Sequence, residues 1–410
     1  MVRGARRRVN EEAIRALVAS EPVLIGVESA ETAMGLPKST VLTSGPAMPF
    51  ESYSGGQRAA IIGGALYEGL AADEAAAIDA FRRGDIVVRG CQEFGCVGSL
   101  AGVTTASMPV LVVADDRSGE RAYCTMYEGD SADRLNYGTF TDATRANLDD
   151  LRSRVAPALN SLIASQTEAL RLKPIMSRAL TMGDELHSRN AAATLLLLRR
   201  LLVGAKQLGS ELDAVLDSLC DDYFFLRLSM AASKVMANAM RGYEGSSVVT
   251  AMAFSCAEFG IQCSGTGDTW FTGPLPTFED FLLESGCDVD DIEFMGGEST
   301  ITEVVGLGGL AQAAGLPLHR SSGRDISTMI ARTTAMYEIT VSESPEFLIP
   351  VLNYRGAPLG LDVEKIVARA DITPFLDIGI AGRSRRQIGG GVAKAPLVPF
   401  RKAWDALHPT

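Results

Sequence analysis

The chain has 410 residues, 47% apolar and 21% charged, enough at roughly 100–200 residues per domain for two to four globular domains. This balance excludes a disordered chain, and 41 glycines without a Gly-X-Y period exclude collagen. Thirty-eight Lys+Arg against 50 Asp+Glu give a net charge of −12, so neither nucleic acid nor a membrane is expected as a partner; a local basic pocket stays compatible with that total.

In chain order, Arg3–Arg8 read as a solvated leader, and Asn10 as the cap of a helix from Glu11 to Ala19. Strands are predicted over Pro22–Val27 and over Thr40–Pro46, the second running into a loop. Helices follow at Arg58–Gly69 and Asp73–Phe81, then strands at Asp85–Arg89, Met108–Val113 and Ala122–Met126, the last two joined by a hairpin turn at Asp116–Gly119. From Asp142 to Arg241 strand signals vanish. Helices are predicted at Arg145–Gln166, Leu172–Thr181, Asp184–Leu202, Glu211–Leu219 and Phe224–Met240. Further strands are read at Ser247–Met252, Phe259–Cys263, Tyr337–Val341 and Phe375–Ile380, with a turn-rich stretch at Ser264–Gly286, a small-residue helix within Gly296–Gly315 and a helix at Val363–Ala370. The expected class is α/β of the α+β type: an N-terminal lobe (1–141), a helical domain (142–245) and a C-terminal lobe (246–410).

The seven cysteines, Cys91, Cys96, Cys124, Cys220, Cys256, Cys263 and Cys287, include no C-x-x-C pair, and the three histidines, His187, His319 and His408, are widely separated. This predicts a reduced, cytoplasmic protein with no metal and no cofactor. Glu11, Glu12, Arg15 and Glu21 interrupt any signal peptide, and the apolar run Leu195–Leu198 is far short of the about 20 residues of a membrane helix.

Glycines cluster where strands end and helices begin, where backbone N–H groups can hold an anion. At Gly55-Gly56-Gln57-Arg58, Gly56 and Arg58 are candidate ligands of an anionic substrate; the plain alternative is a strand–loop–helix connection with Arg58 solvated. Gly90–Gly102 is neither a P-loop nor a dinucleotide fingerprint, and Cys91 and Cys96 there read as packing residues or, without a nearby histidine, as weak nucleophile candidates. At Gly297-Glu298-Ser299-Thr300, Glu298 and Ser299 bind a polar ligand, or else Ser299 or Thr300 is the N-cap of a capping box with Thr302 or Glu303. At Asp184-Glu185-Leu186-His187-Ser188-Arg189-Asn190, Asp184 caps a helix, Asp184 and Asn190 are substrate-binding candidates, and Glu185, His187 and Arg189 are catalytic candidates; a polar surface face is the alternative. Arg383, in a run of three arginines and several glycines, fits a carboxylate or phosphate, unless that run is a solvated loop.

These segments together resemble the AllG subunit family of oxamate carbamoyltransferase, from about Ser44 to Trp404. The resemblance is carried by Met182-Gly183-Asp184-Glu185 with His187, Arg189 and Asn190; Phe224-Phe225-Leu226 with Leu228-Ser229-Met230-Ala231; Glu258-Phe259-Gly260-Ile261; and Trp270-Phe271-Thr272. It continues in Ile301-Thr302-Glu303, Met336-Tyr337-Glu338-Ile339-Thr340, Asn353-Tyr354-Arg355-Gly356 and Gln387-Ile388-Gly389. It implies a subunit acting with AllF-like (acyl-CoA ligase-like) and AllH-like partners in carbamoyl transfer between carbamoyl phosphate and oxamate or a related small acid. A noncatalytic scaffold completing a partner's site is the other reading, and a homo-oligomer is compatible with either. Arg355 joins the candidate substrate ligands. Where the family carries Pro-Cys-His-Glu-His-Gly, this chain has Gly90-Cys91-Gln92-Glu93-Phe94-Gly95, and Gly-Asp-Ser is replaced by Gly297-Glu298-Ser299, which marks a divergent branch.

Overall fold

The computed structural model describes residues 3–129, 131–203, 213, 215–216, 221–323 and 325–408; the helix expected at 211–219 and Cys220 lie essentially outside them. The described chain mixes helices with several small sheets, an α/β fold of the α+β type. Alternating β-branched residues build a four-stranded antiparallel sheet in the order Arg121–Thr125, Pro109–Asp115, Pro22–Ser29, Leu170–Arg171. Its last strand, two residues long, lies inside the stretch read from sequence as purely helical. Thr40–Thr43 and Val87–Gly90 form a parallel pair.

The C-terminal part holds two three-stranded antiparallel sheets and the hairpin Thr340–Ile349/Arg355–Leu361. Two of its strands, Thr277–Leu283 and Gln387–Lys394, fall where turns and a basic loop were expected. Gly389, Gly390 and Gly391 pair with Leu283, Leu282 and Phe281, so these glycines serve close strand approach. The helices Ile326–Met336 and Leu397–Ala406 were not anticipated, and the strand expected at Tyr337 begins at Thr340 because Tyr337 closes the preceding helix.

The first helix runs from Arg3 to Ala19, so Asn10 is not its cap. Its amide is buried, donating to Ser247 Oγ (2.9 Å) and accepting from Ser247 N (2.9 Å). Arg6 is no solvated leader residue: it is 4% exposed, donates to Gly245 O (3.2 Å) and lies over Trp404. Contacts remote in sequence thus extend the helix by two turns, which no local capping signal could report. Among the described residues no helix is long and apolar enough to cross a membrane.

One continuous apolar cluster extends from Ala13 to Ala403, through all three sequence segments. Its axis is the helix Phe224–Asn238, hereafter the central helix, all of whose residues are buried. A helix enclosed on every side should be apolar throughout, yet this one carries Arg227, Lys234 and Asn238. Offsets of seven and eleven residues at 100° per residue put all three on one face. That polar stripe links the two concavities described below.

Candidate functional site

A cavity of about 320 Å³ opens beside the start of the central helix; its lining includes Arg134, Arg227, His187, Ser299, Tyr127 and Tyr137. Arg227 is 5% exposed, and among the described residues its Nε and Nη1 have no hydrogen-bond partner. Arg134, 8% exposed, lies 4.3 Å over the Tyr137 ring and donates to Gly129 O (3.2 Å), while its Nε is without a partner among the described residues. Between the two cations Glu128 accepts from Leu135 N (2.6 Å) and Asn136 N (3.1 Å). Burial pushes its carboxyl upward against those two N–H groups and both arginines. A buried guanidinium with unmatched donors costs free energy that an anion in the cavity would offset.

His187 is 3% exposed and fixed from behind. Its Nδ1 donates to Glu303 Oε1 (2.8 Å), an oxygen that also accepts from Gly309 N (2.9 Å) and Asp377 N (3.0 Å), while Thr302 Oγ1 donates to Glu303 Oε2 (2.9 Å). A carboxylate so surrounded by donors assigns the proton to Nδ1 and leaves Nε2 as the nitrogen available to a ligand. The approach requires glycine at 308, where φ is +53° and a Cβ would come within 2.4 Å of Glu303 Oε1 and 2.9 Å of His187 Cβ.

The loop carrying His187 is not the helix predicted from Asp184; the helix starts at Ala191. Glu185 holds the loop, accepting from His187 N (3.2 Å), Arg189 N (3.0 Å) and Ser188 N, and Ser229 Oγ on the central helix donates to Leu186 O (2.7 Å). These bonds retain Leu186 in the left-handed region, φ +71°, a conformation that stores strain beside the cavity. Asp184 does cap the helix, but from nine residues away, accepting from Ala193 N (2.8 Å) with Arg189 Nε 3.3 Å from its other oxygen. Burial raises it to about 6 against those two partners. Asn190 Nδ2 donates to His187 O (2.8 Å). Glu185, Asp184, Arg189 and Asn190 thus shape the loop and are absent from the lining.

The glycine-rich helix starts are occupied by the protein's own carboxylates. Glu298 accepts from Gly98 N (2.7 Å) and Gly45 N (3.3 Å); burial raises it to about 8 against these bonds and the charge of Lys234. Gly56 N donates to Glu293 Oε2 (3.1 Å), so neither Gly56 nor Glu298 has a free place for an anion. The expected capping box at Ser299 does not form: Thr300 Oγ1 donates to Met252 O (2.7 Å) and Glu303 turns to His187. Arg58 lies over Phe50 and pairs with Glu51, Arg355 pairs with Glu343 and lies over Tyr337, and Arg383 donates to Asp290 O (2.9 Å). None of the three reaches the cavity. Of the residues singled out from sequence the structure brings His187 and Ser299 to it, and it adds Arg134, Arg227 and the positioning carboxylate of Glu303. Arg227 lies inside the Phe224–Ala231 run that carries the family resemblance; a charged residue in that largely apolar run is the signal. Cys91 is fully buried, which pushes its thiol up and disfavours a thiolate.

This architecture recurs in the crystal structure of a conserved protein of unknown function from Enterococcus faecalis V583, which is 33% identical with a TM-score of 0.94, covering 98% of this chain and 97% of that one. Residues 86–299 match the family model described as oxamate carbamoyltransferase subunit AllG. The Escherichia coli K12 protein named oxamate carbamoyltransferase subunit AllG is 34% identical over 90% of this chain and 89% of its own length. The uncharacterized protein YahG of the same organism is 34% identical over 96% of this chain and 84% of its own. The chain belongs to the AllG family.

Proposed function

We propose that the chain is a subunit of a multi-subunit carbamoyltransferase that moves a carbamoyl group between carbamoyl phosphate and a small amide or carboxylate such as oxamate. It acts with AllF-like and AllH-like subunits in the cytoplasm. The observation that carries this reading is the buried guanidinium of Arg227, with two donors unmatched, facing the same cavity as Arg134 and the His187–Glu303 pair. The name of the E. coli relative supports the reaction class.

In the transfer, the acceptor nitrogen attacks the carbamoyl carbon, the new N–C bond forms, and the C–O bond to phosphate breaks. Negative charge builds on the departing phosphate, where fixed guanidinium donors lower the barrier without having to reorganise. The acceptor nitrogen releases a proton to His187 Nε2, and Glu303 stabilises the imidazolium so formed. Neither a metal nor a covalent nucleophile on this chain is needed for these steps.

The test is phosphate release from carbamoyl phosphate with oxamate, by the chain assembled with AllF-like and AllH-like subunits. Arg227→Met and His187→Gln should each abolish most turnover without preventing assembly. Full activity of both variants in the complex would instead favour the noncatalytic scaffold, and no turnover by the intact complex would remove the carbamoyl reading.

A further inference from the structure

At the other end of the central helix a second concavity, of about 980 Å³, has Gln92, Phe94, Tyr123, Asn238, Gln262 and Trp270 in its wall. Residues 227 and 238 are about 16 Å apart along the helix axis at 1.5 Å per residue, so this cleft is distinct from the arginine cavity. Gln92 and Asn238 are 7% and 6% exposed, and among the described residues each keeps a polar atom without a partner: Nε2 of Gln92 and Oδ1 of Asn238. The orientation of Gln92 is set by chemistry. Lys234 Nζ, at 3.0 Å from Gln92 Oε1, can only donate, so the oxygen faces the lysine and the amide hydrogens are left over. A cation on that oxygen also draws electron density from the amide nitrogen and strengthens its N–H as a donor.

An unmatched buried donor and an unmatched buried acceptor in one cleft call for a ligand offering the complementary pair. Charge argues against an anion here, because the lining sets Arg89, Arg121 and Arg241 against Glu93, Glu120, Glu258 and Asp268, and Arg89 and Arg241 are already engaged by Glu93 and Asp268. Trp270, Tyr123 and Phe94 supply flat apolar surface suited to a planar ring.

We propose that this cleft binds an uncharged planar lactam of the pyrimidine type, its ring carbonyl accepting from Gln92 Nε2, its ring N–H donating to Asn238 Oδ1 and its face against Trp270. The site is independent of the carbamoyl reading and stands or falls separately. The probes are uracil and N,N′-dimethyluracil, which has the same ring and carbonyls but no N–H, titrated into the intact chain by calorimetry and saturation-transfer NMR. Uracil should bind, and the dimethyl compound should bind at least about tenfold more weakly for want of the hydrogen bond to Asn238. Gln92→Glu keeps an oxygen for Lys234 but replaces the donor by a second oxygen, and should weaken uracil by at least about tenfold. Arg227→Met, in the other cavity, should leave the uracil Kd unchanged. Equal binding of the two probes to the unmodified chain overturns the proposal without any variant. No uracil binding at millimolar concentration, or binding indifferent to Gln92→Glu in a protein that melts normally, overturns it as well.

Discussion

At the start of the central helix Arg227 meets Arg134, two tyrosines and a carboxylate-backed histidine; at its end Asn238 meets Gln92, whose amide is locked by Lys234. Both concavities border the same buried helix. They differ in what surrounds the cations. In the cleft Arg89 and Arg241 are held by Glu93 and Asp268, whereas beside Arg227 the carboxylate of Glu128 is already bound to two backbone N–H groups. The lesson is that charge count does not locate an anion site in an acidic protein. The feature that would locate one is a buried cation that the carboxylates of the described residues leave unmatched.

The sharpest challenge to that contrast is Arg227→Met. It should lower kcat/KM of the assembled enzyme by on the order of 100-fold or more, the scale of removing a preorganised oxyanion donor. Thermal melting should change little, because the deleted group is a buried cation with two unmatched donors. A loss under tenfold would break the comparison. Glu303→Gln comes next: it removes the charge behind His187 and should cost roughly 100-fold in kcat, the lower end for a positioned acid–base group, with a smaller change in KM, since the imidazolium forms only during proton transfer.

At the other end the test is pH. Burial, then repulsion by Arg241, lowers Lys234 from 10.5 to about 8. The unfolded chain keeps this proton to higher pH than the folded one, so the cost of burying the charge is full below about pH 8 and is relieved as pH rises toward 10.5. Lys234→Met removes that dependence. The melting temperature of the variant relative to the natural protein should therefore fall between pH 8 and 10, and a constant difference would contradict a buried, protonated lysine. The smallest effect is expected from Arg355→Ala and Arg383→Ala, whose partners are at the surface: less than about a twofold change in kcat/KM, as is usual for exposed polar contacts.

Much of the fold was legible because it follows local rules. Leu172–Thr181 is the helix its spacing predicts, and Pro109–Asp115 pairs with Arg121–Thr125 about the predicted turn. Three misreadings share one cause, a residue whose partner lies outside its own turn of chain. Asn10 resembles a cap but bonds Ser247; Asp184 opens no helix but caps one that starts at Ala191; Gly389–Gly391 resemble a loop but fill a strand against Leu283–Phe281. His187 and Ser299 could be found because polar residues at loop-to-helix junctions are visible in the sequence. Glu303 was visible too, but only as half of a capping box.

The sequence by itself determined a globular α+β chain of the AllG family, with polar residues gathered at glycine-rich junctions. It could not decide which junctions stay open to a ligand. Gly45, Gly56 and Gly98 point their N–H groups at Glu298 and Glu293, carboxylates 200 residues or more away, and so are closed to an outside anion. Arg227 in its apolar helix is the reverse case. Only the tertiary structure shows that among the described residues no carboxylate reaches its Nε and Nη1, because pairing depends on distances between segments, which a linear sequence does not contain.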